Sequence, residues 1–343
     1  MKETGDDRNM NEIRREPLLG RWVAVLSESM KPEDYLSAME PSAGGHCDLC
    51  EEESGGAEEI YSVRDESGKW LVRVLPAMVP VFSPEGDLGR KGVGIYDRMN
   101  AIGVNEMLIE SPQHNVQPED MGSEQMQRVV EAFSARMIEL EKDVRIRHIM
   151  IHKNCGVPSG DACGHPHSLI TATPVIPKRV KEELDGAKQY YEYKERCIFC
   201  DFMREEERLK ERVVMETPYF LVFCPYAARF PFEFWILPRI HNCSFRDVTE
   251  DEKRDLSETL SIMFKKLRRL LKNPPYNYVL HTAPSRIPRR NHWHTLGEDF
   301  HWHIEVMPRL KSIGSFELGS GMYTLTTSPE DAAKYLKEVS HGD

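Results

Sequence analysis

The sequence predicts an α+β fold made of two repeated halves, with antiparallel sheets and helices packed on one face. Three observations carry that expectation. One order is read twice along the 343 residues: Cys-x-x-Cys, strand, strand with a trailing Pro and His, helix, strand, loop, His-x-His. Each half holds one long stretch of helical apolar spacing among short runs of strand formers. The composition, 40% hydrophobic and 29% charged, is that of an ordinary globular chain. The expected units are residues 1-180 and 181-343, their half-sheets either separate or continuous across the chain.

The first half reads in order as follows. Residues 1 to about 12 read as a frayed end. Arg21 to Leu26 has strand character, and Tyr35 to Gly45 a loop leading to Cys47-Asp-Leu-Cys50. The acidic stretch after Cys50 reads as a solvated loop. Trp70 to Leu75 is a strand ended by Pro76 and Pro80, and Asn105 to Glu110 another, running into Ser111-Pro-Gln-His114. From Pro118 to Lys142 the apolar residues Met121, Met126, Val129, Val130, Phe133, Met137 and Leu140 recur at helical spacing. Ile146 to His152 is a strand that enters the loop Asn154 to Leu169.

Lys178 to Arg196 is charged and reads as a helical connector. The second half opens on Cys197-Ile-Phe-Cys200. Strands are expected over Arg212 to Met215, Tyr219 to Cys224 and Phe234 to Leu237, the last followed by His241. Glu250 to Leu271 is helical by the spacing of Leu256, Leu260, Met263, Leu267 and Leu270. Tyr276 to His281 is the next strand, and Phe300 to Pro308 carries the second His-x-His pair.

The net charge of -11 argues against nucleic acid as a partner, which needs a basic face. No apolar run approaches ~20 residues, so no membrane span is expected, and the polar N-terminus does not read as a signal peptide. Eight cysteines are too sparse for a disulfide scaffold in a chain of this length. Two Cys-x-x-Cys pairs read instead as metal ligands in a reducing cytoplasm, the expected location. A tetrahedral zinc takes four such ligands. The repeat supplies them twice, as Cys47, Cys50, His114 and His165 and as Cys197, Cys200, His241 and His301. One pair alone would be weak evidence; two pairs with matched downstream histidines are not. Zn2+ is therefore expected at two sites, with iron an alternative in the second. Cys155, Cys163, Cys224 and Cys243 are expected as small core or loop residues.

In the loop NCGVPSGDACGHPHSL, His165 and His167 stand at i and i+2, on one face of an extended segment. Gly156, Ser159, Gly160 and Gly164 would let backbone N–H groups approach a phosphate. An oriented imidazole is a suitable nucleophile towards phosphorus. Among lesser signals, His46 is expected exposed, His292 and His294 in a solvated loop, and His152 and Trp302 in the core.

The motifs Arg14-Arg-Glu-Pro-Leu-Leu-Gly-Arg-Trp-Val, Glu110-Ser-Pro-Gln-His114, His165-Pro-His167, Cys224-Pro-Tyr-Ala-Ala-Arg-Phe-Pro-Phe-Glu233, FHWHIEVMPRL and Ser315 to Tyr323 occur in this order. In that order the chain resembles the galactose-1-phosphate uridylyltransferase family of the histidine-triad superfamily, which includes an ADP-glucose phosphorylase branch. The resemblance implies ping-pong nucleotidyl transfer. His167 would attack the α-phosphorus of a nucleoside diphosphate sugar and expel a sugar 1-phosphate. The nucleotide would then pass to a second sugar 1-phosphate, or to phosphate in the phosphorylase branch. It further implies that the Pro166 carbonyl orients the attacking ring and that Ser159, Asn154, Gly156 and Gly160 hold phosphate oxygens. Lys31, Arg229, His281, His303, Ser320 and Gly321 are the implied substrate contacts, and a homodimer the implied assembly.

Four positions depart from the family pattern on the donor side. Leu169 stands where glutamine would bind the transferred phosphate, a loss of about 2–4 kcal/mol of transition-state stabilisation unless another donor substitutes. Ala162 replaces a serine, Glu28 an arginine and Ala77 an asparagine of the nucleotide pocket. Two further readings therefore stand beside the uridylyltransferase-like one: an ADP-sugar phosphorylase, and a catalytically weakened zinc-containing nucleotide-binding protein.

Overall fold

The computed structural model describes residues 11–15, 22–25, 47–50, 58–114, 116–161, 163–287 and 294–340. In chain order the elements are β1 (Glu12–Arg15), β2 (Trp22–Val25), β3 (Tyr61–Arg64), β4 (Trp70–Pro76), β5 (Lys91–Val93), β6 (Tyr96–Asn100), β7 (Val104–Ile109), α1 (Ser123–Leu140), β8 (His148–Cys155), β9 (His167–Thr173) and α2 (Lys178–Lys194). There follow α3 (Ile198–Leu209), β10 (Val213–Glu216), β11 (Phe220–Phe223), β12 (Phe234–Pro238), α4 (Glu250–Leu271), β13 (Tyr276–His281), α5 (Leu296–Asp299), β14 (His303–Pro308), α6 (Ser315–Ser320) and α7 (Pro329–Glu338).

Ten strands form one antiparallel sheet in the order β10-β11-β12-β14-β13-β8-β9-β7-β4-β3. Read outward from its middle, β8-β9-β7-β4-β3 mirrors β13-β14-β12-β11-β10, so the repeat seen in the sequence is a repeat in space. The two half-sheets are continuous. β8 and β13 pair directly, Ile151 opposite Leu280 and Asn154 opposite Asn277.

Strand alternation gives the sheet two different faces. Val74, Leu108, Ile151, Ile170, Leu280, Ile304, Ile236 and Val222 point to one face, where α1 and α4 pack side by side and bury them. Helix α4 begins in a capping box, Thr249 with Glu252, and presents Leu256, Leu260, Met263 and Leu267 to the sheet. Trp302 lies in this core against Phe220 and Phe245. The opposite face carries His167, Asn154 and His281. In the second half α2 and α3 cover it, with Val180, Leu184, Phe199 and Met203 packed on Leu221, Phe223 and Leu237.

The helix expected from Pro118 begins at Ser123, because Asp120 and Met121 donate their N–H groups to the Gln117 carbonyl in a turn that precedes it. The connector helix stops at Lys194, where Glu195 takes a left-handed conformation. Helix α3, which starts on the second Cys-x-x-Cys, was not expected. Nor was a small sheet in the order β2-β1-β6-β5, to which Glu12 already belongs. The Tyr35 to Gly45 loop and His46 lie outside the described residues. No helix among the described residues is long and apolar enough to cross a membrane.

Candidate active site and metal centres

Each Cys-x-x-Cys meets the two histidines assigned to it. In the first half Cys50 Sγ lies 3.4 Å from His114 Nδ1 and 3.5 Å from His165 Nδ1, Cys47 Sγ 3.7 Å from His165 Nδ1, and the two Nδ1 atoms 3.3 Å apart. A tetrahedral zinc with Zn–S of about 2.3 Å and Zn–N of about 2.0–2.1 Å sets edges of about 3.3 Å between nitrogens and about 3.5 Å between nitrogen and sulfur. The donor set fits that ion. His165 Nε2 donates to the Ser111 carbonyl at 2.8 Å, the tautomer that leaves Nδ1 for a metal.

In the second half Cys200 Sγ lies 3.4 Å from His241 Nδ1 and 3.6 Å from His301 Nδ1, with His241 Nε2 donating to the Gly297 carbonyl at 3.0 Å. All four candidate ligand atoms of each set lie within 4.8 Å of one another. The Cys197 thiol donating towards it, and then the imidazoles of His241 and His301, hold Cys200 as a thiolate against the opposing effect of burial.

His167 opens β9, opposite Ile109 of β7. Its Nδ1 lies 2.7 Å from the His165 carbonyl oxygen, which can only accept. The ring proton therefore sits on Nδ1 and the lone pair on Nε2. The Pro166 carbonyl, expected to orient the ring, instead accepts the Glu110 N–H at 3.0 Å. Two residues of alternation place the His165 oxygen, not that of Pro166, beside the ring. Cys163 Sγ also approaches Nδ1, at 3.4 Å.

The glycine-rich loop differs from its sequence reading. Gly156 takes φ +81°, and a Cβ there would meet Pro275 at 3.0 Å. Its amides, however, do not wait for a phosphate. Asp161 Oδ1 accepts from the N–H groups of Cys163 and Gly164 at 3.0 Å each, and Asp161 Oδ2 from Gly156 at 3.4 Å. Gly160 donates to the Val157 carbonyl, and Ser159 Oγ to the carbonyls of Cys155 and Gly156. Ser159 thus ties the turn together. Asn154 accepts from Asn277 Nδ2 at 2.8 Å, leaving its own Nδ2 to donate.

Behind His167, on the helix face, lies a buried polar cluster. Lys153 Nζ donates to Glu110 Oε2 at 2.8 Å and to the His167 carbonyl at 2.9 Å, while Ser168 Oγ donates to Glu110 Oε1 and meets Tyr278 Oη. Sequence reasoning missed it, although a lysine on the apolar side of a strand was a legible signal. Replacing Lys153 by methionine strands a buried carboxylate and is expected to cost about 3–5 kcal/mol of stability, read as a fall in the urea midpoint. Replacing Glu110 by leucine in that variant should restore part of it.

In the second half His303 repeats the His167 geometry, its Nδ1 donating to the His301 carbonyl at 3.0 Å. This ring is closed off. It stacks on His281 with centroids 4.7 Å apart and on Trp235 at 5.3 Å. His281 Nδ1 lies 2.8 Å from Glu183, and its Nε2 3.4 Å from Glu305. Burial disfavours a charged His281, but the carboxylates of Glu305 and Glu183 outweigh it and hold the ring up to about 10. Burial and then the charge of His281 push His303 down to about 4. Arg229 is committed to Glu233 at 3.0 Å and to Glu305. Arg229, His281 and His303, expected as substrate contacts, are thus internal to one buried ionic cluster. Glu183, His281 and His303 also offer ligand atoms within 4.8 Å of one another.

Comparison with known proteins places the chain. Family models described as the N-terminal and C-terminal domains of galactose-1-phosphate uridyl transferase match residues 87–177 and 183–342. Over 338 residues it is 32% identical to an ADP-glucose phosphorylase of Arabidopsis thaliana, covering 96% of this chain and 93% of that one. The chain belongs to the galactose-1-phosphate uridylyltransferase family. A galactose-1-phosphate uridylyltransferase of Thermotoga maritima is 28% identical, covering 96% and 99% of the two chains. The crystal structure of an ADP-glucose phosphorylase from Arabidopsis thaliana with bound ADP-glucose superposes with a TM-score of 0.77 at 30% identity, covering 96% and 99%.

As a member of this family the chain is an enzyme, a transferase. Of its departures from the family pattern, Leu169 faces Met107 and His152 across its two neighbouring strands and packs beside Leu75 and Trp70. Ala77 donates its N–H to the Asn105 carbonyl just past β4. Glu28, Lys31, Ala162 and His292 lie outside the described residues. Ser320 and Gly321 end the exposed helix α6, where Ser320 Oγ bonds the Phe316 carbonyl. Cys224 and Cys243 are buried, while Cys155 and Cys163 are partly so.

Proposed function

We propose that this enzyme moves a nucleoside monophosphate from a nucleoside diphosphate sugar through a nucleotidyl-histidine formed on His167. The observation that carries the reading is the bond from His167 Nδ1 to the His165 carbonyl, which leaves Nε2 as the nucleophile. Nε2 attacks the α-phosphorus, and the bond from that phosphorus to the sugar 1-phosphate oxygen breaks with its electron pair. The leaving phosphate needs no proton. The imidazolium so formed keeps its Nδ1 proton, shared with the carbonyl, and stays reactive towards the acceptor. A cavity of about 470 Å³, lined by Ile60, Pro76, Phe82 and Asn105, seats the nucleoside end of the donor.

The acceptor distinguishes two branches. With a hexose 1-phosphate the reaction is uridylyltransferase-like; with inorganic phosphate it releases a nucleoside diphosphate. The similarity to an ADP-glucose phosphorylase supports the second. Incubation with UDP-glucose and ADP-glucose labelled at the α-phosphorus tests the reading. Acid-labile label on the protein, discharged by sugar 1-phosphate or by phosphate, is expected. No label from either donor overturns it and leaves a zinc-containing nucleotide-binding protein.

The two Cys-Cys-His-His sets hold structural zinc, with iron an alternative in the second, and all eight free cysteines suit a reducing cytoplasm. Residues 1-180 and 181-343 are the two units of the fold. The working assembly is a homodimer, for which exposed Phe316, Leu318 and Met322 beside Ser320 and Gly321 supply apolar surface.

A further inference from the structure

The loop ahead of His167 places a third set of ligand atoms against the nucleophile itself, in addition to the two Cys-Cys-His-His centres. Cys163 Sγ lies 3.4 Å from His167 Nδ1. Cys50 Sγ stands at the same 3.4 Å from His114 Nδ1, and Cys200 Sγ from His241 Nδ1. All three spacings match the nitrogen–sulfur edge of about 3.5 Å around a tetrahedral zinc. Asp161 completes the set: a carboxylate oxygen of Asp161, Cys163 Sγ and a ring nitrogen of His167 all lie within 4.8 Å of one another.

The members of this set can be reached. Asp161 and Cys163 are both partly exposed, so an ion can approach them from solvent. Asp161 Oδ1 is spent on the N–H groups of Cys163 and Gly164. Its Oδ2 accepts a long bond from Gly156 at 3.4 Å, which leaves that oxygen a lone pair. The repeat does not carry the thiol into the second half. Asp299 stands there two residues before His301, and its Oδ2 accepts from Thr295 Oγ1 at 2.7 Å. The thiol thus accompanies the half whose histidine is open to chemistry.

We propose that Asp161, Cys163 and His167 form a third, inhibitory zinc site. Thiolate, imidazole and carboxylate are all zinc donors, and three protein ligands leave one position to water. Binding replaces the hydrogen bond from His167 Nδ1 to the His165 carbonyl. Nδ1 gives its lone pair to the ion, the ring carries its proton on Nε2 instead, and the Cys163 thiol releases its proton to solvent. A ring protonated at Nε2 has no lone pair with which to attack phosphorus. Structural zinc sites are closed by four protein ligands, whereas this one keeps an open position and so fills after them. The ligand set stands on geometry alone; its effect on the reaction rests on the nucleotidyl-transfer reading above.

The test uses full-length protein washed to two equivalents of zinc and then equilibrated with buffered free Zn2+. The parent is expected to take up a third equivalent with a dissociation constant of about 10 μM or tighter. At free Zn2+ about ten times that constant, protein labelling by α-labelled donor should slow about tenfold by mass action, and a chelator should restore it. Cys163→Ser should stop at two equivalents, and at the same zinc it should label within about threefold of its own zinc-free rate. His167→Asn should also stop at two. The two equivalents that each variant keeps report that it has folded. A parent that stops at two equivalents overturns the proposal, as does a third equivalent that Cys163→Ser retains. So does a third ion that fills without slowing the labelling. Should the parent take no label from any donor, the transfer reading fails separately. The site is then judged by stoichiometry: a third equivalent lost in both variants supports it, and one retained in either overturns it.

Discussion

Replacing His167 by asparagine is expected to abolish labelling of the protein and to lower turnover at least about 10⁴-fold, the scale seen when a covalent nucleophile is removed. The asparagine amide can still donate to the His165 carbonyl, so the loop should keep its shape. What it lacks is a basic ring nitrogen facing the phosphorus. Thermal melting should therefore stay within a few degrees of the parent while single-turnover labelling vanishes. A variant that retained acid-labile label would place the nucleophile elsewhere. His303, which makes the same carbonyl bond two residues back, is walled in by Trp235 and His281.

The second large effect is expected at the first metal centre. Cys50→Ser removes a thiolate from a set whose other members include His165, which is joined to His167 only through Pro166. Loss of the ion frees His165, and with it the carbonyl that fixes the tautomer of His167. Elemental analysis should show bound metal fall from two equivalents to one. Binding energy at such a site is folding energy, so stability should drop by several kcal/mol while labelling slows as well. Cys200→Ala at the second centre should also cost one equivalent and comparable stability, but it should slow labelling far less. The loop there leads to a stacked, enclosed histidine. Equal losses of activity in the two variants would contradict this assignment.

Much of the scaffold is legible in the sequence. A repeated order of cysteine pair, strands, helix and paired histidines has few spatial solutions, and the continuous sheet with mirrored strand order is one of them. Helix bounds erred where a turn borrowed helical-looking residues, as at Gln117 to Met121. The small sheet was missed because Lys91 to Val93 is three exposed residues with a central glycine, and its partners are far apart in sequence. Metal sets could be read because thiolate and imidazole at fixed spacing have one dominant use. The second-half contacts could not, since whether Arg229 meets a substrate or Glu305 depends on neighbours some 76 positions away. Asp161 taught a similar lesson: an acid inside a glycine loop can occupy the anion position itself. Strand position alone puts His152 in the core. Only the strand register shows it standing opposite Leu169.

The direct pairing of β8 with β13 has a consequence for how such a chain can be divided. Severing the peptide between Thr173 and Lys178 would give two pieces, each holding a five-stranded half of the large sheet with a raw, unpaired margin that matches the other's ladder. Such pieces should be insoluble alone and rejoin when made together, restoring a split enzyme. The same margin is the edge along which the two mirrored half-sheets meet, so the single chain keeps the symmetry of a pair of such units joined edge to edge.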